Sequence, residues 1–449
     1  GSGSYYDSAP ATAVGTNSVA SYTGASAFGT GATASAKYST ALGANARATG
    51  EYATAVGDNA YASGFDSFAG GYAASASGDH GVALGAFASA SGNNSAAVGK
   101  YASASGDFGA AFGAGAKAIG YSATALGNYT AATQAFATAV GNEAYAGGIS
   151  STSVGSYSAA TGYNSTALGA SAYSLGQGAT ALGALSKASG DLSVAAGYSA
   201  CATGTASTAV GNTAAAYGAY STAVGSKAYA SGANATAVGA AAQATGAYST
   251  AIGTDSHTYN SGDVALGENA VANGVGPYFA APATAVGTDA VATNAGAAAF
   301  GYKSQADGLG ATAVGAYSSA TQLGSAFGIG AQAANGGATA VGVTAYASGY
   351  TSTAIGADTR ATGDNSFAGG NGAMADAADG VAIGHGASTA GYAGSVALGA
   401  YSVAGAANPT GGTTINGTYY AFAGASPTSV VSVGAPGAER QITNVAAGQ

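Results

Sequence analysis

The chain has 449 residues, 78 of them glycine, with 6% charged residues, one cysteine, no tryptophan and a net charge of −9. Glycine at 78/449 ≈ 17% is far above the usual level of about 7%. So little ionisable material excludes most enzyme active sites, a lone cysteine excludes a disulfide scaffold within the chain, and the acidic balance offers no basic patch for nucleic acid.

Residues 1–8 open the chain. Gly1-Ser2-Gly3-Ser4 reads as a linker, and the chain as an excised piece of a longer protein. There is no basic segment followed by an apolar stretch, as a signal peptide would need. No run of about 18 apolar residues is present to span a membrane as a helix.

Repeats fill residues 9–405. Ala53-Thr54-Ala55-Val56-Gly57, Ala123-Thr124-Ala125-Leu126-Gly127 and Ser249-Thr250-Ala251-Ile252-Gly253 share one pattern, ending on a marker glycine. The marker recurs every 14 residues from Gly15 to Gly267 without a slip. It continues to Gly399 with three irregular intervals: 20 (Gly267 to Gly287), 13 (Gly315 to Gly328) and 15 (Gly384 to Gly399). With the marker as phase 0, a second glycine usually falls at phase 7, as in Gly50, Gly64 and Gly78. Small and apolar residues alternate with period two between the glycines, which is a strand signal. Each unit therefore predicts one coil of a solenoid: two five-residue strands joined by two turns, with glycine supplying positive φ.

The charges orient the coil. Of the 24 charged residues inside the repeats, 17 lie at phases 1, 2, 8 and 9, just after the glycines, and none at phases 3, 5, 11, 12 or 13. Burying an unpaired charge is costly, so the charge-free phases are the buried ones. Alternation in a strand then sends the alanine-rich phases 3, 5 and 12 inward and phases 4 and 6 to water. Phase 13 carries Val56, Leu84, Val98, Leu126, Val140, Leu168 and Ile252. This apolar row lies on the outside of one sheet, exceeds what a monomer usually exposes, and calls for identical chains to cover it, two or three in number.

The six-residue insertion, within Asn273-Gly274-Val275-Gly276-Pro277-Tyr278-Phe279-Ala280-Ala281-Pro282, is expected to bulge from the coils. Residues 406–436 leave the repeat and read as an adaptor. Residues 437–449 hold Glu439-Arg440-Gln441-Ile442-Thr443-Asn444-Val445-Ala446-Ala447-Gly448.

The repeats over residues 9–405, with cores such as Asn164-Ser165-Thr166-Ala167-Leu168-Gly169, resemble the head domains of trimeric autotransporter adhesins of the YadA-like type. The segment from Glu439, preceded by Ser432-Val433-Gly434, is similar to the start of that family's neck. The resemblance implies an all-β fold, a left-handed parallel β-roll solenoid of 14-residue coils assembled as a homotrimer. It implies a non-enzymatic adhesin without cofactors, on the surface of a Gram-negative bacterium. The membrane would be reached only through a C-terminal anchor that this chain lacks. Its partners would be extracellular matrix proteins such as collagen, fibronectin or laminin, or cell-surface receptors. Candidate adhesive residues are the phase-4 tyrosines Tyr61, Tyr145, Tyr173, Tyr229 and Tyr346. To these are added Asn94, Ser95, Asn164 and Ser165, which approximate a collagen-linked motif of the family, and Pro277, Tyr278 and Phe279 in the insertion. Tyrosines at phase 2 (Tyr101, Tyr129, Tyr157, Tyr317, Tyr401) are also expected at the surface. No catalytic or metal-binding constellation emerges: His80, His257 and His385 sit at different phases in different regions. Two other readings are a structural spacer that displays another binding domain, and an ice-binding β-solenoid.

Overall fold

A computed structural model describes residues 9–275 and 281–446. The chain divides into two units, Gly1–Ala228 and Tyr229–Gln449. Both are built from the same coil, a parallel β-solenoid, and no helix occurs among the described residues. In the first unit the coil from Gly57 to Gly71 shows the plan. Tyr61–Ala62 forms a short strand and Phe68–Gly70 a longer one. Each stacks in parallel on its counterpart 14 residues away, as in Thr54↔Phe68 and Tyr61↔Ser75. The coil thus has two sheets, one of three-residue strands at phases 11–13 and one of two-residue strands at phases 4–5.

These strands are shorter than the five residues expected, because the turns use the flanking residues. Ala60 N–H returns to the Gly57 carbonyl at 3.3 Å, and Asn59 N–H crosses to the Ala44 carbonyl of the preceding coil at 2.9 Å. The ladder therefore runs on through the turn, in a conformation that is not extended.

The turns divide the role given to glycine: the marker glycines take the expected positive φ, whereas the phase-7 glycines do not, and a further positive-φ residue appears. The residue in the left-handed region stands two places past each glycine and is usually not glycine: Tyr52 (φ +62°), Asn59 (+56°), Asp66 (+51°) and Tyr101 (+60°). That conformation costs an L-residue about 1–2 kcal/mol. An inter-coil hydrogen bond, such as Tyr52 N–H to the Lys37 carbonyl at 3.0 Å, offsets about 1 kcal/mol of it. Asparagine and aspartate recur there because they tolerate this region best. The two glycines serve different ends. Gly57 has φ +131°, and a Cβ on it would also lie 2.5 Å from the Gly71 carbonyl oxygen. Gly64 has ordinary φ, but its Cβ would lie 2.0 Å from the Gly78 oxygen. Phase 7 is glycine because successive turns stack in contact.

Alanine columns fill the interior. Ala60, Ala62 and Ala55, at phases 3, 5 and 12, are fully buried, as the charge pattern predicts. Phase 10 is buried too, as Ala53 and Ser67 show, which the charge pattern did not reveal. Serine is admitted there because its hydroxyl donates to the glycine carbonyl three residues back, as in Ser67 to Gly64 at 2.8 Å. Phases 11 and 13 flank the outer face, as the alternation of the strand predicts, although they carry no charge: phase 11 is half-buried and phase 13 mostly half-buried to exposed.

The second unit keeps its register across the irregular intervals. Val264↔Thr284 spans the long coil, Thr312↔Ser325 the short one and Val381↔Val396 the third. Asp263, the charge at phase 10 that masked the burial of that column, is 0% exposed at the base of the insertion. Its carboxylate accepts N–H bonds from Asn260 (2.8 Å), Gly274 (3.1 Å) and Ala283 (2.9 Å). Both ends of the inserted segment are thus tied to one side chain. Asp263→Ala should destabilise the second unit by about 2–3 kcal/mol, since two buried N–H groups lose a charged acceptor. The check is the thermal midpoint together with amide exchange, which should accelerate first at Gly274 and Ala283.

At the C-terminal end, Val431–Ser432 adds a last parallel strand beside Val396–Leu398. A hairpin, Gly412–Ile415 with Thr418–Ala421, intervenes. Arg440 closes the end of the stack: its guanidinium donates to the Ser402 hydroxyl at 2.7 Å and to the carbonyls of Val433 and Ala400.

Candidate binding surfaces

The coil exposes two flat faces and two turn edges. On the three-residue-strand sheet, phase 13 points outward. In the first unit Leu42, Leu84, Leu126 and Leu168 are 48%, 44%, 49% and 43% exposed. In the second unit Ile252, Phe300, Phe327, Ile355 and Leu398 continue the pattern, all exposed. The apolar row expected from the sequence is therefore present on each unit.

The opposite face carries phases 4 and 6. Tyr145 and Tyr173 are each 41% exposed, whereas Tyr61, Tyr229 and Tyr346 are half-buried. Arg47 lies 5.3 Å from the centroid of Tyr61, and Arg360 the same distance from that of Tyr346. The Ser63 hydroxyl, then that of Thr49, holds the Tyr61 phenol below its ordinary pKa. Tyr145 and Tyr173 flank Ala159 in the ladder and share a neighbourhood. The other three lie in separate neighbourhoods, so the five form no single patch.

Asn94 and Asn164 are exposed turn residues in the left-handed region, φ +56° and +52°. Ser95 and Ser165 are buried, 1% and 0% exposed, which removes their side chains from the surface. Ser95 bonds the Gly92 carbonyl at 2.6 Å. In these two motifs asparagine suits the turn, and Ser95 is satisfied in the interior column whereas the buried Ser165 hydroxyl has no partner there. Pro277, Tyr278 and Phe279 lie outside the described residues. Cys201 is a half-buried free thiol. Among the described residues no three His, Cys, Asp or Glu side chains group in a way that could hold a metal ion.

Sequence reasoning placed the phase-2 tyrosines at the surface but missed the contacts along the turn edges. Aromatic residues meet there from coil to coil, some stacked and some edge to face. Tyr38 and Tyr52 lie 5.3 Å apart and Tyr52 and Phe65 5.6 Å. Tyr72 and Phe87 lie 5.2 Å apart and Phe87 and Tyr101 5.0 Å. The signal was aromatic recurrence at phases 1–2 or 8–9 of consecutive coils. Aspartates at phase 8 bond along the same edges. Asp79, Asp107, Asp191 and Asp364 accept the N–H of the residue 14 positions earlier, at 2.8–3.0 Å. Charge accumulates after the glycines partly for that reason, and not only through exposure to water.

Comparison with known proteins matches the YadA head domain repeat at residues 10–32, 23–46, 34–60, 48–74, 62–88, 90–116, 118–144, 146–172, 174–200, 202–228, 230–256, 281–304, 292–318 and 347–373. These segments cover more than half of the chain. A stretch of 40 residues, 9% of this chain, is 70% identical to autotransporter adhesin BtaE of Brucella suis biovar 1 (strain 1330) and spans 5% of that protein. The C-terminal YadA-like domain of a Burkholderia pseudomallei protein is 39% identical over 23% of this chain and 36% of its own, with a TM-score of 0.14. The collagen-binding domain of the Yersinia adhesin YadA is 27% identical over 34% of this chain and 63% of its own, with a TM-score of 0.17.

Proposed function

This chain belongs to the YadA head domain repeat family, and from that premise we propose that it is the adhesive head of a non-enzymatic bacterial surface protein. Three copies associate through their phase-13 rows, leaving the phase-4 faces and the turn edges outward. Residues 9–405 form the head, 406–436 the adaptor and 437–449 the start of a neck. The protein is displayed on the bacterial surface and anchored in the outer membrane. The ligands are host matrix proteins such as collagen, fibronectin or laminin, or cell-surface receptors.

The observation that carries this reading is the row of exposed aliphatic side chains on a flat sheet. A row of that kind needs a partner of the same length and repeat, and a second copy of the chain provides one. Adhesion is tested by attachment of the purified chain to surfaces coated with collagen, fibronectin or laminin and to host cells. We expect saturable attachment to at least one of them. We also expect a loss of about tenfold in the Tyr145→Ser/Tyr173→Ser variant, because tyrosine offers much contact area for little entropy. No attachment to any of these would leave the spacer reading in its place.

A further inference from the structure

Three successive coils of the first unit carry the same outward pattern. Each places an exposed aromatic residue in the turn, Tyr72, Phe87 or Tyr101, and then runs Ser-Ala-Ser: Ser75-Ala76-Ser77, Ser89-Ala90-Ser91 and Ser103-Ala104-Ser105. The alanines are fully buried, so the serines face out. Ser75, Ser89 and Ser103 stand in parallel register. Ser77, Ser91 and Ser105 form a second row held by the same ladder, with Ser77 N–H on the Ala90 carbonyl at 2.9 Å and Ser91 N–H on that of Ala104 at 3.0 Å. The result is a lattice of hydroxyls about 4.8 Å apart between coils and about 6.7 Å apart along the strand.

This lattice differs from the serines elsewhere in the coil. Most serines at phases 3 and 10 bond to turn carbonyls, Ser165, Ser207 and Ser366 being buried exceptions, whereas none of these six surface hydroxyls bonds to another described group. The field is uncharged: its inner row runs from Tyr61 to Lys117 with only serine between. The nearby carboxylates of Asp79 and Asp107 are occupied by the N–H groups of Phe65 and Asn93. The aromatic ladder Tyr72–Phe87–Tyr101, edge-on in its first pair and stacked in its second, borders the same three coils, an independent feature coextensive with the first.

The geometry points to this face as a binding site for a neutral, extended polysaccharide, an inference that rests on the adhesive reading and names a ligand class for it. Hydroxyls both donate and accept, so they suit a ligand whose own polar groups are hydroxyls. Aromatic rings beside them offer apolar area to the C–H surfaces of sugar rings. Serine with tyrosine is a composition that combines adaptable hydrogen bonding with rigid contact area. The lattice is held by the backbone ladder, so binding orders little that is not already fixed. Charge stands only at its borders, Lys100 over the Tyr101 ring at 5.2 Å and Asp79 and Asp107 at the other turn, so the hydroxyl lattice itself offers a protein ligand no ion pair.

The test is retention of the full chain on microcrystalline cellulose, with polygalacturonate as an anionic comparison. The expected result is retention on cellulose that high salt leaves unchanged, and a drop of at least tenfold in the Ser77→Ala/Ser91→Ala/Ser105→Ala variant. These exposed substitutions leave the interior intact. The inference is overturned if the wild type is not retained, if the variant is retained equally, or if polygalacturonate is preferred. Attachment to collagen, fibronectin and laminin is measured in parallel. Attachment there without retention on cellulose overturns this inference and leaves the adhesive reading standing, whereas absence of both overturns the two together.

Discussion

Replacing Leu42, Leu84, Leu126 and Leu168 with aspartate should lower the native mass from near 124 kDa (3 × 41.3) to near 41.3 kDa. The four residues stand at phase 13 in every third coil of the first unit, each more than two-fifths exposed in the single chain. Fully burying a leucine is worth about 1.5–3 kcal/mol, and burying an unpaired carboxylate costs several kcal/mol more. With four such changes in each of three chains, the association has no compensating term. The coil itself should survive, because the strand alanines beside these leucines, such as Ala41 and Ala83, point the other way into the interior. Light scattering after size exclusion reads the mass, and circular dichroism reads retention of the β structure. A wild-type chain already at 41.3 kDa, or a variant still at the higher mass, would sink the proposed assembly.

The period, the inward alanines and the outward aliphatic row were legible because each repeats at a fixed phase, and a phase converts directly into a face. The turns were not legible in the same way. Tyr52 and Tyr101 carry no propensity for the left-handed region. They adopt it because their N–H groups reach carbonyls of the preceding coil, a contact between residues 15 apart. Asp263 misled the assignment of phase 10: one buried carboxylate, held by the amides of the insertion, made an interior column look open to charge. The candidate site suffered from the reverse problem. Asn94-Ser95 and Asn164-Ser165 look like recognition motifs, but their positions in the coil already account for both asparagines and for Ser95. The serine field and the aromatic ladders were present in the sequence as coincidences between neighbouring repeats. They take on meaning only once the turn is placed and residues 14 apart are known to touch.

Stacking at phase 7 gives the largest expected effect of a single methyl group. In Gly162→Ala the new Cβ would stand 1.9 Å from the Gly176 carbonyl oxygen and 2.5 Å from its carbon. Both are backbone atoms, so no side chain can swing away. The φ of Gly162 is ordinary, so the effect isolates contact from conformation. Overpacking of this kind costs about 3 kcal/mol. A solenoid coil touches only its neighbours, so the damage should stay local. Amides near residues 162–176 should lose exchange protection while the ladder around Ala55 and Ala62 keeps it, and the thermal midpoint should fall. Gly372→Asn provides the contrast. Gly372 has φ +64° with nothing within 4 Å of its Cβ position, and Asp358 holds the same turn place one coil earlier at φ +55°. That substitution should change stability by no more than about 0.5 kcal/mol. If Gly162→Ala melted with the wild type while Gly372→Asn did not, positive φ and not close approach would govern the glycine pattern, and the account of phase 7 would be wrong.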